Sequence, residues 1–535
     1  MSLTESEAAQ ISAYFTNTDR PVFALTNLPE TVKGALFARY SRSPKSLRRL
    51  FLDEFYDAVG AAEGTDAIGA SGAVRSERAD KLYQRVFNDY GDDSVAQLGG
   101  VHLAVEDASN ILTKVLERGR LMAYLEQSTR YIPYTERRGE GWRYLVPAEL
   151  DGHPLQKQYV HTLNASFEIY AKWIPVMQEW FASRHPKAAA DSDAVYRAAI
   201  RAKALDTLRG MLPAATQSNV GIFGTGQAYE TLLLRMRAHP LVEVRATADS
   251  MLEELRKVIP AFLTRVDQPD RGGKWSAYLE DSRTRTLELA ARLTAEATGA
   301  PADEVSLTDF DPDGEVKVVA AALYAASTVS DRDAMATARR LTAADREAVL
   351  RAYVGERTNR RHKPGRAFER TGYRFDILTD YGAFRDLQRH RLMTIDWQAL
   401  SPRHGYVQPE AFVDAGGDRD FREVMDRSAD LYDALSGAGF ADAAQYAVAM
   451  AYRVRFVMDM NAREAMHVIE LRTAPQGHPA YRRVCQRMHT LIGEVAGHHA
   501  IAGAMRFADH SQVELERLQE ERRIEQKRER SRAGQ

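Results

Sequence analysis

The sequence predicts a helix-dominated chain of two domains, and three observations carry that reading. The chain has 535 residues, 44% of them hydrophobic, whereas single cores rarely grow beyond roughly 250–300 residues. Apolar residues recur at helical spacing through long stretches such as 28–59 and 147–209. The chain also repeats itself: Arg118-Gly119-Arg120-Leu121-Met122 returns as Arg389-His390-Arg391-Leu392-Met393 with one substitution. Tyr144-Leu145-Val146-Pro147 is answered by Tyr406-Val407-Gln408-Pro409, and Leu234-Arg235 with His239-Pro240 by Leu471-Arg472 with His478-Pro479. Three correspondences in the same order predict a diverged tandem duplication.

In chain order, Pro29 marks a helix start, and residues 28–59 read as helix, a break at Ser43-Pro44, then helix. Residues 95–115 form an apolar-rich run leading into the arginine-bearing stretch 117–134. Phe167, Tyr170 and Trp173 share one helix face within 147–209 and are expected in the core, with Trp180 on the same segment. Pro240 and residues 267–273 interrupt the pattern, a helix follows over 275–298, and the Pro-, Gly- and Asp-rich stretch 299–314 is expected to be the linker. Residues 315–338 are the second-half counterpart of 28–59. The domains are therefore placed at 1–298 and 299–510, with 511–535 a charged helical tail. A solvated helix is the usual meaning of such a run, and its interleaved acids disfavour nucleic-acid contact.

Composition narrows the function. A formal charge of −2 gives no global attraction to nucleic acid or anionic membrane, so phosphate recognition must be local and the partner a small ligand. The single cysteine, Cys485, rules out an internal disulfide and any multi-cysteine zinc site and fits a reducing compartment. It is spaced like the buried side of a helix, so the chemistry is expected to need no thiol. No apolar run approaches the ~20 residues of a membrane span and the N-terminus has no signal-like pattern. The expected location is cytoplasmic, with no resident metal.

Residues 117–134, reading E-R-G-R-L-M-A-Y-L-E-Q-S-T-R-Y-I-P-Y, combine three arginines, a carboxylate and a serine. Guanidinium groups grip phosphate bidentately and a hydroxyl can add a neutral bond to the same anion. A polar helix end with solvated arginines is the alternative reading of these residues.

The pattern R-x-R, seven residues, then S, with E-x-S-x-R-Y at its end, resembles the signature of the flavin-dependent thymidylate synthases. Arg118, Arg120, Glu126, Ser128, Arg130 and Tyr131 match in the first half, with Gly119 where that family has histidine. The second half keeps Arg389, His390 and Arg391 but has lost E-x-S-x-R-Y. The family's N-A-R and L-R landmarks resemble Asn461-Ala462-Arg463 and Leu471-Arg472, whereas the first half keeps Leu234-Arg235 and has Gly224 and Gly226 where spacing puts the asparagine and arginine. Arg209, just before Leu212-Pro213, resembles the family arginine at that place, which the second half lacks.

The resemblance implies an α+β fold, helices packed on a small antiparallel sheet, present twice. It implies reductive methylation of dUMP to dTMP, with methylenetetrahydrofolate as carbon donor and FAD reduced by NADPH. By the same resemblance Glu126, Ser128, Arg130 and Arg209 would bind dUMP, and Arg472 would bind and polarise its base as the catalytic residue. FAD would be met by Arg389, His390, Arg391, Asn461, Arg463 and Glu369. His362 is a weaker candidate near the flavin, and the first half has Asp93 and Gln97 instead. Family sites are shared between subunits, so complementary loss in the two halves implies composite sites between unlike halves, in a homodimer forming a pseudo-tetramer. Two alternatives stay open: a non-catalytic flavin- or nucleotide-binding descendant, and a flavin-dependent methylase of another pyrimidine nucleotide.

Overall fold

The computed structural model describes residues 3–41, 43–60, 97–128, 130, 132–139, 141–189, 191–297, 303–513, 515 and 518–533. Tyr131 and Asp93, named above, lie outside these residues, as do Gly299 of the expected linker and Glu514 and Glu516 of the tail. Nine strands are found among the described residues: β1 (Gly100–Ser109), β2 (Met122–Glu126), β3 (Arg137–Arg138), β4 (Gly141–Trp142), β5 (Gln217–Thr225), β6 (Val305–Phe310), β7 (Gly372–Asp380), β8 (Thr394–Trp397) and β9 (Arg453–Asn461). Helices supply most of the remaining regular structure, so the protein is a helix-rich α+β fold with small antiparallel sheets.

Contacts divide the chain into two compact units. One comprises Met1–Ala108, Val115–Gln127 and Ser218–Ala297; the other comprises Ser109–Lys114, Ser128–Gln217 and Thr298–Gln535. In the first unit the strands run β1-β5-β2, with Met122 opposite Gly224 and Glu126 opposite Val220. Thr225 ends β5 and caps the helix Gly226–Arg237 by accepting the Ala228 N–H. The expected helix, break, helix appears as Glu30–Tyr40 and Leu47–Glu54, and the expected helix over 275–298 as Lys274–Leu293.

The second unit holds the sheet β6-β7-β9-β8. Burial alternates along β7 and β9, with Tyr373, Phe375, Ile377, Val454, Phe456 and Met458 turned inward. A fully buried side chain of this kind is worth about 1.5–3 kcal/mol. On the other face Arg455 pairs with Asp376 and Arg374 with Asp459, so polar residues at period two keep that side in water. The helix Tyr381–Leu387 follows β7, capped by Asp380 at 2.9 Å from the Ala383 N–H. The helix Ala462–Arg472 follows β9, capped by Asn461.

The order β7-β9-β8 matches β1-β5-β2: first strand, third strand, second strand, with a helix after the first and third. The repeated Tyr-x-x-Pro landmarks match as well, because Tyr144 bridges Thr216 and Tyr406 bridges Tyr452. The segments after these helices' predecessors, 210–215 and 446–451, pair with each other inside the second unit. Ala214 donates to the Val448 carbonyl at 2.8 Å, Ala215 to Tyr446 at 2.9 Å, Met450 to Leu212 at 2.9 Å and Ala451 to Gly210 at 2.8 Å.

Two expectations need correction. Residues 305–310, expected within a linker, are strand β6, paired with β7 from Val305 opposite Ile377 onward. Its V-S-L-T-D-F sequence alternates, but the flanking Pro, Gly and Asp hide so short a strand. The pairing of Gly224 with Asn461 is also off by one: Thr225 is the cap where Asn461 is the cap, and the helix that follows is one residue longer, 12 against 11. Phe167, Tyr170 and Trp173 are buried as expected on the helix Leu155–Arg184, where Trp173 also donates to Asp420 at 2.6 Å. The tail forms the helix Leu518–Ala533, with Arg522 paired to Asp191.

A candidate anion-binding site

The helix Asp193–Leu208, capped by Ser192 at the Val195 N–H, delivers Asp206 and then Arg209 to the interior of the second unit. Asp206 receives Arg130 in a two-pronged pair, Nε to Oδ1 at 2.8 Å and Nη2 to Oδ2 at 2.7 Å. Burial alone would raise the Asp206 pKa, but Arg130, with His478 and Arg209, holds it below the usual carboxylate value. Arg130 in turn is held firmly charged by Asp206 against the effect of its own burial. Its remaining nitrogen, Nη1, lies 3.4 Å from the Tyr481 hydroxyl. Ser128 accepts the Arg130 backbone N–H through its hydroxyl at 3.2 Å, which fixes the turn carrying that arginine.

Asp386 lies near the end of the helix Tyr381–Leu387 and is the second carboxylate of the site. Three guanidinium groups converge on it: Arg209 Nη1 at 3.6 Å, Arg389 Nη1 at 3.9 Å and Arg472 Nη1 at 4.0 Å. Burial opposes its ionisation, yet Arg389, Arg209, Arg472 and Arg130 together hold its pKa well below the usual range. Arg209 and Arg130 come from the first half of the sequence, Arg389 and Arg472 from the second, and all four lie in the same compact unit. Four guanidinium groups thus face Asp206 and Asp386, and a third buried carboxylate, Asp380, lies close to Arg209. Arg209 Nη2 is buried without a hydrogen-bond partner, a donor that an anion would satisfy.

Arg472 is oriented from two sides. Its Nε donates to His390 Nε2 at 2.9 Å, and its guanidinium carbon sits 5.4 Å from the Tyr481 ring centroid, within range of a cation–π contact. Because an arginine nitrogen can only donate, His390 Nε2 must carry the lone pair. Burial first, and then Arg472, push the His390 pKa well down, so the ring is neutral at neutral pH. His390, Glu464 and His467 have ligand atoms within 4.8 Å of one another. That geometry could hold a cation, but Arg472 and Lys363 act on the same cluster and disfavour positive charge there.

The other expected site residues fall as follows. Arg389 and Arg391 are exposed on the connection before β8. Asn461 uses its side-chain oxygen as a helix cap to Glu464 N–H at 2.9 Å. Arg463 donates to the Pro364 carbonyl at 2.9 Å and lies 3.4 Å from Glu369. Glu126 ends β2 in the other compact unit and lines a shallow groove there with Glu106, Gln127 and Asn219. His362 is exposed and its carbonyl accepts from Arg357. Cys485 is buried, which pushes its thiol pKa up to about 12; it is a core residue.

Sequence reasoning missed Asp206, Asp386 and Tyr481. A signal was present for the two acids: Asp206-Thr207-Leu208-Arg209 and Asp386-Leu387-Gln388-Arg389 are both Asp-x-x-Arg, a spacing that puts acid and base on one helix face. Nothing local marks Tyr481, because Arg130 is remote in sequence and Arg472 lies on the preceding helix, reached only through packing.

Helices and small antiparallel sheets, with arginines gathered from both halves of the sequence, define a helix-rich α+β protein with a candidate anion site. The chain belongs to the thymidylate synthase complementing protein family, whose model matches residues 44–261 and 306–497. It is 36% identical over 525 residues to a UPF0159 protein of Chlamydia muridarum, covering 97% of this chain and 98% of that one. A flavin-dependent thymidylate synthase of Mycobacterium avium is 29% identical over 175 residues, 32% of this chain and 64% of that protein. Among solved structures, a UMP/dUMP methylase PolB from Streptomyces cacaoi bound with 5-Br dUMP is 19% identical, with 38% of this chain and 97% of that one covered at a TM-score of 0.30. No helix among the described residues is long and apolar enough to cross a membrane.

Proposed function

We infer that this chain catalyses the reductive methylation of dUMP to dTMP, with methylenetetrahydrofolate as carbon donor and FAD reduced by NADPH. The site is composite, its phosphate contacts drawn from domain 1–298 and its flavin and base contacts from domain 299–510. One observation carries the reading: Arg130 and Arg209 of the first half meet Arg389 and Arg472 of the second around Asp386. A nucleotide phosphate carries about −1.5 to −2 charge at neutral pH, which guanidinium groups compensate. Membership in the family and the likeness to a flavin-dependent thymidylate synthase support the chemistry.

In this reading Arg209, through its unsatisfied Nη2, holds the phosphate, and Arg130 supports it from the clamp with Asp206. Arg472, held by neutral His390 and the Tyr481 ring, faces the base and stabilises negative charge as it develops there, in surroundings where such stabilisation is strong. The exposed cations Arg389 and Arg391, with Arg463, suit the diphosphate of FAD, which when bound supplies the hydride. Cys485, buried and held protonated, takes no part. Two chains would associate as a pseudo-tetramer of halves.

The test is tritium release from C5-labelled dUMP in the presence of NADPH and the folate. The wild type is expected to release tritium, and Arg209→Ala and Arg472→Ala to lose release while retaining the fold by circular dichroism. Absence of release by wild-type protein that binds FAD would mark a non-catalytic descendant; release from another pyrimidine nucleotide alone would reassign the substrate.

A further inference from the structure

We propose that Glu464 is a positioning residue for this site: set against His390 Nδ1, its carboxylate keeps the imidazole proton on that nitrogen and the Nε2 lone pair aimed at Arg472, and so fixes the arginine that faces the base. This role rests on the reading of Arg472 in the proposed function. Among the described residues, Glu464 reaches that arginine only through His390.

A neutral imidazole has one N–H and one lone pair, and the bond made by either nitrogen decides which is which. At His390 the Nε2 side receives the Arg472 Nε–H at 2.9 Å, so the ring proton belongs on Nδ1. That atom lies 3.7 Å from Glu464 Oε1. The separation exceeds a hydrogen bond, so the carboxylate acts on the Nδ1–H as a charge. Both side chains are buried, where such an interaction is stronger than in water. His467 stands edge-on to the His390 ring at 5.5 Å between centroids and restricts its rotation. Burial, Arg472 and Lys363 keep His390 uncharged against the pull of Asp386.

Glu464 is not spent on its own helix. It is the third residue of Ala462–Arg472, a place from which a glutamate can accept the cap residue's backbone N–H, as Glu7 accepts from Thr4 at 2.9 Å. Among the described residues Glu464 makes no such bond. Asn461 accepts its N–H at 2.9 Å, while its carboxylate is turned to His390 and His467. Burial raises its pKa, and His467, Lys363 and Arg463 oppose that rise, favouring the charged form.

The first half of the chain supplies an internal contrast. Its helix Gly226–Arg237 is capped by Thr225, so Ala228 and Thr231 stand third and sixth, where the second half has Glu464 and His467. Gly119 stands in place of His390. All three side chains are missing together, and Arg235 Nε is buried without a hydrogen-bond partner.

The experiment combines nitrogen NMR of the histidine rings in FAD-loaded protein with tritium release from C5-labelled dUMP by Glu464→Ala, Glu464→Gln, His390→Gln and the double variant E464A/H390Q. The His390 signals are those lost in H390Q. Wild type is expected to carry the His390 proton on Nδ1 alone. E464A is expected to mix the two tautomers and to lower kcat by about 10–100-fold, with KM for dUMP within about twofold because the phosphate contacts are untouched. E464Q keeps an oxygen facing Nδ1 and is expected to restore both readouts. Added to H390Q, E464A should cost no more than about twofold further, since its route to Arg472 is already gone. A wild-type proton on Nε2, an E464A protein in which either tautomer or kcat stays unchanged, or a full further loss in the double variant would each overturn the proposal. Should E464A not fold, the wild-type tautomer and E464Q still decide, since loss of release in E464Q with an unmoved tautomer would overturn it as well. If wild-type protein releases no tritium, the functional reading fails separately, and the tautomer in E464A continues to judge the hold of Glu464 on His390.

Discussion

The helices that follow β5 and β9 each carry the arginine of a Leu-Arg motif, ten residues past the Thr225 cap and eleven past the Asn461 cap, and the two have opposite fates. Arg472 donates to His390 at 2.9 Å and lies 4.0 Å from Asp386. Arg235, its counterpart, is half-buried with Nε lacking a hydrogen-bond partner, and burial first, then Arg118, pulls its pKa down. Counting back three residues from the R-x-R pattern, Asp386 in the second half is Val115 in the first. The histidine is gone too, and the space is closed: a Cβ at Gly119 would lie 2.5 Å from the Tyr124 hydroxyl, which accepts the Gly119 N–H at 3.0 Å. An arginine cluster of this kind therefore needs an internal carboxylate to assemble before its ligand arrives. Without one, neighbouring guanidiniums repel each other as they are desolvated.

The largest expected effect breaks this comparison if it fails. Arg472→Ala should lower tritium release by about 100-fold or more, while Arg235→Ala should leave it within about twofold; equal effects would erase the distinction between the two helices. Next, Arg130→Ala strands Asp206 as a buried unpaired charge and should cost about 3–5 kcal/mol in urea unfolding. The double variant Arg130→Met with Asp206→Leu should cost much less, because the pair's desolvation is removed with it.

The pH dependence sharpens the same contrast. Burial, and then Arg209, lower the folded His478 pKa from its ordinary value of 6.5 to about 3, so the unfolded chain takes up a proton that the folded one refuses. Stability therefore falls as pH drops below about 6.5, by up to about 1.4 kcal/mol per pH unit. Asp206, also depressed, adds a further loss only once pH falls below its ordinary value of 3.8. Unfolding measured from pH 7 to 5 should show the first slope, and His478→Gln should reduce it, with His390, His467 and His239, whose pKa values are also lowered chiefly by burial, keeping the remainder. The smallest effect is expected at Gly119: Gly119→His should destabilise the first-half loop by about 1–3 kcal/mol through its clash with Tyr124, with no gain in bound flavin.

Much of this was legible in the sequence. Helix starts at Pro29 and in the amphipathic run around Phe167 follow from local rules, and the repeated R-x-R, Tyr-x-x-Pro and Leu-Arg landmarks located both halves. Arg389 and Arg472 were legible because each sits in a repeated motif, and Arg130 and Arg209 were legible through the family resemblance. Their counter-charges were not, because Asp206 and Asp386 look like ordinary helix-surface acids until tertiary packing buries them. Strand β6 escaped notice because six alternating residues between Pro- and Gly-rich flanks read as loop until β7 supplies a partner. The one-residue offset between Gly224 and Thr225 arose because spacing counts residues, whereas a helix cap is decided by which side chain reaches the third N–H.

The most direct test of the central claim, one shared site built from both halves of a single chain, is the stoichiometry of dUMP binding to FAD-loaded protein. We expect one dUMP per chain in the wild type and none in either Arg209→Ala or Arg472→Ala at matched concentrations. Two per chain, or one that survives in either variant, would show that the halves bind separately and would contradict the account.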